Sequence, residues 1–223
     1  MNTTGYRKLL NQVRTQFAAL SKEDDRYNDC LRMLEFARKV HTGVRKDGVT
    51  KEFYHQLSIV GVLLTQHRNL QNPHLVYQAA LGHDVIEDYP EHKAYMQQHF
   101  AVAFPYCWTL SKKRNGLDVP YPQYFGEMAA CPVASAVKLI DRLHNLSTML
   151  KVFKPEKQVS YVEEVDTWFL PMAKTARENF PRQRDFYELA KCLLNDQCSM
   201  LRHFLGMEKV SQLDDLEEGA MTP

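Results

Sequence analysis

The chain has 223 residues, 44% of them apolar and 25% charged, which suits one domain with a substantial core. A formal net charge of +1 provides no overall field to recruit DNA or a membrane surface. No apolar run reaches the length of a membrane span, and the start Met1-Asn2-Thr3-Thr4-Gly5-Tyr6-Arg7 lacks a signal-peptide core, so a cytoplasmic location is expected.

Residues 6 to 20 carry the stripe Leu9, Leu10, Val13, Phe17, Leu20, which predicts a helix. Ser21-Lys22-Glu23-Asp24-Asp25 is a polar break, and a second stripe follows in Leu31, Leu34, Phe36, Ala37 and Val40, ended by His41. Thr42 to Lys51 reads as a loop bearing Gly43, Arg45, Lys46 and Gly48. His55 then stands at or just before a third helix marked by Leu57, Ile59, Val60, Leu63 and Leu64. Gln71-Asn72-Pro73-His74 is a turn, with Pro73 opening the helix that runs to His83. Tyr89-Pro90 ends it. Tyr95 to Leu110 predicts one helix bent at Pro105, and Ser111 to Gly116 a basic surface loop. Helices are expected from Tyr124 to Ala130, from Val133 through Asn145, and over roughly 158–178 and 182–205.

No internal repeat, sheet-length alternating run or phosphate-cradling glycine loop is present, so the predicted class is all-α. The domain assignment is an N-terminal helix over 1–25 packed on a domain at 26–206. An acidic tail at 207–223 is expected to be disordered. The five cysteines lack zinc-knuckle or redox-pair spacing, which leaves histidine and carboxylate as metal ligands.

The chemistry concentrates in Gly82-His83-Asp84-Val85-Ile86-Glu87-Asp88. On a helix, His83 and Glu87 share one face, as do Asp84 and Asp88. Four ionisable groups beside the apolar Leu75-to-Leu81 segment need a partner, which a divalent metal supplies. Glu87 and Asp88 would then hold or deprotonate a water. Alone, the motif reads equally well as a core histidine capped by acidic residues. A second break in apolar pattern occurs at Asp141, within Val133-to-Ile140 surroundings. His55, His83, Asp84 and Asp141 thus form a candidate ligand set from three helices, suited to an ion such as Mn²⁺. Lys138 and Arg142 lie one turn either side of Asp141, where each could meet phosphate oxygens or serve as a surface charge.

His83-Asp84 with a distant Asp141 resembles the HD-domain metal-dependent phosphohydrolases, and in detail the hydrolase half of the RelA/SpoT alarmone enzymes and the stand-alone small alarmone hydrolases. The likeness rests on Phe36-Ala37 to Arg45-Lys46-Asp47-Gly48, His55-Gln56-Leu57, His83-to-Asp88, Val137-to-Asn145, and Pro155-to-Gln158 with Phe169-to-Ala173, spanning about residues 30 to 175. The resemblance implies an HD-type helical bundle in which His55, His83, Asp84 and Asp141 bind Mn²⁺. Glu87 and Asp88 would orient and activate the attacking water. It implies removal of the 3′-pyrophosphate from guanosine tetra- or pentaphosphate, with Arg45 and Lys46 flanking the base and Asn145 and Thr148 lining the nucleoside pocket.

The pattern departs from the family at Gln56 (usually Pro), Glu52 (usually Tyr), Ile140 (usually a small residue) and Val159 (often basic), with one extra residue between Arg45 and His55. Base preference is therefore left open. The alternatives are the same hydrolysis of an adenosine alarmone, a 2′- or 3′-phosphorylated dinucleotide, or pyrophosphorylated tRNA in an antitoxin role. A general HD nucleotidase and a non-catalytic alarmone-binding regulator are the other two. The expected partner is a small nucleotide, with self-association left open. Among other histidines, His41 reads as a helix C-terminal residue, His144 as a structural hydrogen-bonder, and His67 and His74 as surface or turn residues.

Overall fold

The computed structural model describes residues 3–150 and 152–207, so most of the acidic tail lies outside the described residues. The chain is all-α, with helices α1 (Thr3–Leu20), α2 (Asn28–Val40), α3 (Tyr54–Thr65), α4 (Pro73–Gly82), α5 (Val85–Asp88), α6 (Lys93–His99) and α7 (Phe104–Leu110). A hairpin of β1 (Lys113–Arg114) and β2 (Leu117–Asp118) follows, then α8 (Tyr121–Ala129), α9 (Pro132–Thr148), α10 (Pro155–Glu164), α11 (Leu170–Asn179) and α12 (Arg184–Leu205).

Two helices organise the core. Every residue of α4 after Pro73 is buried, and α9 buries Val133 through Val137 and Leu139 through Leu143. A helix that is apolar around most of its circumference has to be enclosed by others. Accordingly α9 packs on α3, α4, α7, α8, α11 and α12, while α4 packs on α2 and α3. The N-terminal helix α1 inserts Val13 and Phe17, both fully buried, against the same core, with Phe17 5.4 Å from Tyr77. Pro73 and Pro132 each occupy the first turn of their helices, where a missing N–H costs nothing.

The structure differs from the sequence reading in several places, among them the helix expected to run from Pro73 to Tyr89, which is interrupted at His83-Asp84 between α4 and α5. The helix expected over 95–110 is two helices, because the chain turns through Phe100–Ala103 and Pro105 lies in the first turn of α7 instead of bending one continuous helix. The basic loop folds into the short hairpin, whose Asn115-Gly116 corner has positive φ at both residues (52° and 83°), the backbone a two-residue hairpin turn requires. His74 is buried, 8% exposed, since the first turn of α4 already faces the core.

Candidate metal centre and cleft

The four proposed ligands are placed by three separate parts of the fold. His55 is the second residue of α3, Asp141 lies midway along α9, and His83-Asp84 join α4 to the four-residue α5. The junction keeps near-helical backbone, and Asp88 N–H still donates to the Asp84 carbonyl at 2.9 Å. The segment therefore bends without losing the spacing that puts Asp84 and Asp88 one turn apart.

The four side chains converge. His55 Nε2 lies 3.0 Å from Asp141 Oδ1 and 3.9 Å from Asp84 Oδ2. His83 Nε2 lies 3.1 Å from Asp84 Oδ1 and 3.9 Å from Asp141 Oδ1. Ligand atoms of His55, His83 and Asp84 are all within 4.8 Å of one another. His83 Nδ1 is 2.8 Å from the Ala80 carbonyl, which only accepts, so Nδ1 is the donor and Nε2 is turned into the cluster. That Nε2 is buried and lacks a well-angled hydrogen bond despite its short contact with Asp84. Burial alone would lower the His83 pKa, but the carboxylates of Asp84 and Asp141 outweigh it and raise it to about 9. Burial opposes ionisation of Asp84 and Asp141 too, yet the neighbouring cationic groups hold both below the ordinary carboxylate range.

A second layer fixes these ligands. Gln56 Nε2 donates to Asp84 Oδ2 at 3.1 Å, and Asp141 accepts from Lys138 Nζ at 3.0 Å and Asn145 Nδ2 at 2.8 Å. His55 and His144 meet through their Nδ1 atoms. Two buried imidazoles, the buried Asp141 carboxylate and the partly exposed Asp84 carboxylate, with His83 Nε2 lacking a well-angled hydrogen bond, fit a divalent cation of borderline hardness.

Two clefts meet beside this cluster. One, of about 440 Å³, is walled by His55, Asp84, Glu87 and Asp141 together with the cationic Lys112, Lys138, Arg142 and Lys157. The other, of about 420 Å³, is lined by Lys46, Tyr54, Met149, Val152 and Phe153 among others. Arg45, Asn145 and Tyr161 belong to both. Arg45 Nη2 donates to Asn145 Oδ1 at 3.2 Å and approaches Thr148 Oγ1 at 3.5 Å, so three of the side chains expected near a nucleoside stand together at the junction. Lys46 Nζ lies 5.0 Å from the centre of the Phe153 ring.

Of the other expected site residues, Glu87 accepts from the Lys112 backbone N–H at 2.8 Å, and both Glu87 and Asp88 are exposed. Although the residue reaches the surface, partial loss of hydration around its carboxyl, then the negative charges of Asp84, Glu87 and Glu52, push the Asp88 pKa up to about 6. Lys138 spends its charge on Asp141. Arg142 is 8% exposed, sandwiched between the Tyr161 and Phe169 rings at 4.3 and 4.2 Å, and paired with Glu164 at 2.6 Å. Sequence reasoning read Lys112 as part of a basic surface loop that could also meet an acidic substrate, missed Tyr161 on the cleft wall and did not single out Lys157, although Pro155-to-Gln158 carried part of the family likeness. No local spacing links Lys112 or Tyr161 to the HD motif.

No helix among the described residues is long and apolar enough to cross a membrane. No known family model matches this sequence, and no curated protein matches it.

Proposed function

We propose that this chain is a divalent-metal-dependent phosphohydrolase of HD type that removes the 3′-pyrophosphate from guanosine tetra- or pentaphosphate. The observation that carries the reading is the buried His83 Nε2, which makes no well-angled hydrogen bond and is turned toward two carboxylates and His55 at the wall of a cation-lined cleft. His55, His83, Asp84 and Asp141 would hold the ion, Mn²⁺ by resemblance, which supplies Lewis-acid polarisation when bound.

The remaining work falls to the chain's own side chains. Five cationic residues (Arg45, Lys112, Lys138, Arg142, Lys157) and four carboxylates (Asp84, Glu87, Asp141, Glu164) line the polar cleft. A divalent ion tips that balance clearly positive, which suits a pyrophosphate group. The adjoining cleft, with Phe153, Tyr161 and Tyr54, offers flat apolar surface for a nucleoside, and Arg45 and Asn145 connect the two. In the reaction, a water oxygen bonds to the phosphorus attached at the ribose 3′-oxygen. The bond from that phosphorus to the 3′-oxygen breaks, pyrophosphate leaves, and the 3′-oxygen takes up a proton. Glu87 and Asp88 orient the water and accept its proton, and the raised affinity of Asp88 for a proton suits it to that exchange near neutrality.

The test is pyrophosphate release by the purified full chain with Mn²⁺, offered guanosine tetraphosphate, its adenosine counterpart, a 3′-phosphorylated dinucleotide and GTP. Hydrolysis of the guanosine compound, abolished in Asp84→Ala, is expected. Preference for another substrate moves the same machinery to that target. Retention of full activity by Asp84→Ala excludes the mechanism.

A further inference from the structure

We propose that Glu52 is a positioning residue: tied to His41 and Tyr89, it fixes the turn carrying Asp88 relative to the helix that presents His55. The proposal rests on the reading of Asp88 as a water-handling carboxylate.

Glu52 lies just before α3, and its carbonyl accepts from His55 N–H at 3.0 Å, so its backbone is registered to the residue that presents one imidazole. Its carboxylate reaches two other elements. Oε1 is 3.1 Å from Nδ1 of His41, whose side chain is fully buried at the end of α2, and Oε2 accepts from Tyr89 Oη at 2.7 Å. Tyr89 directly follows Asp88, and its ring meets the His41 ring edge-on at 5.2 Å.

Asp88 needs such an anchor. It ends a helix of four residues, too short to hold itself, and no hydrogen bond or ion pair to its carboxylate is found among the described residues. Its position is inherited from the neighbour that Glu52 holds. The surrounding loop is shaped to the same carboxylate. Gly43 C=O accepts from Glu52 N–H at 3.0 Å, and a Cβ on Gly43 would fall 2.9 Å from Glu52 Oε2. A side chain at position 43 therefore pushes on the Glu52 carboxylate itself.

The arrangement is specific in its chemistry. A carboxylate accepts from an imidazole and a phenol at once, whereas a phenol or an aliphatic residue at position 52 does not offer two such acceptors. Carboxylate-bound His41 keeps Nε2 as the other, buried nitrogen, which is left without a partner.

The experiment compares wild type, Tyr89→Phe, Glu52→Ala, Glu52→Gln and Gly43→Ala as full chains with Mn²⁺. It reads kcat and KM for guanosine tetraphosphate, the Mn²⁺ Kd by calorimetry, and the melting temperature. Tyr89→Phe and Glu52→Ala are expected to lower kcat about tenfold or more while KM and the Mn²⁺ Kd stay within about twofold. Glu52→Gln, which keeps an acceptor for Tyr89, recovers most of the loss, and Gly43→Ala behaves like Tyr89→Phe. Unchanged kcat in both Tyr89→Phe and Glu52→Ala overturns the proposal, as does a loss that simply follows the Mn²⁺ Kd or the melting temperature. If wild type turns over none of the offered phosphoesters, the functional reading fails instead. The clamp is then judged by a double-mutant cycle of Glu52→Ala with Tyr89→Phe in urea unfolding. Non-additive effects support the clamp, and additive ones reject it.

Discussion

His55 and His144 meet nitrogen to nitrogen, with their Nδ1 atoms 2.8 Å apart. One must donate and the other accept, and His144 is held neutral because burial, then His55 and Arg45, push its pKa down to about 3. Two proton arrangements satisfy the pair. With the proton on His144 Nδ1, His55 is free to donate from Nε2 to Asp141, 3.0 Å away. With the proton on His55 Nδ1, His144 accepts it and His55 Nε2 presents a bare lone pair for a metal ion. His144 is thus the partner that lets His55 switch.

His144→Ala is expected to weaken Mn²⁺ binding by about 10- to 100-fold, the usual effect of losing a group that orients a ligand. His144→Asn, whose amide both donates and accepts, should recover part of the affinity. Calorimetric titration of the metal-free protein checks this, and an unchanged Kd in His144→Ala contradicts it.

The raised pKa of Asp88, about 6 against an ordinary 3.8, fixes the sign of a pH effect. The folded protein holds this proton more tightly than the unfolded chain does, so the group favours folding at acid pH. That contribution is lost as pH rises through about 6. In metal-free protein, the melting temperature of Asp88→Asn relative to wild type should climb between about pH 4 and pH 7 and then level off. A difference that is constant across the range removes Asp88 from the set of perturbed groups.

Arg142 joins α9 to α10 through Glu164 while filling the gap between Tyr161 and Phe169. A π-helical stretch, Val165–Phe169, precedes α11 and contains Phe169. Pro171, which has no N–H to donate, lies in the first turn of α11 just beyond it. Removing the guanidinium leaves Glu164 facing a half-closed pocket, so Arg142→Ala should cost about 3 kcal/mol in urea unfolding. Arg142→Lys keeps the charge but loses the flat stack and the fork, and about 1–2 kcal/mol is expected. A cost near zero for the alanine variant shows that the sandwich contributes nothing to folding.

The sequence alone determined the class and most helix positions. Stripes such as Val13-Phe17 and the nearly continuous apolar run of α9 report which faces must be hidden, and hiding is a local demand that a 3.6-residue period encodes. It also marked His83-Asp84 and Asp141, because charge in an apolar helix stands out wherever the helix goes. Tertiary structure decided the rest. The break at Phe100–Ala103, the burial of His74, the His55–His144 pair and the Glu52 bridge to His41 and Tyr89 all depend on how helices cross. Arg45 reaches Asn145 only because α9 brings it to the loop before α3. Periodicity states that a face is buried but not which residue it meets, and a hydrogen bond is set by angstroms of inter-helix geometry that no local pattern records.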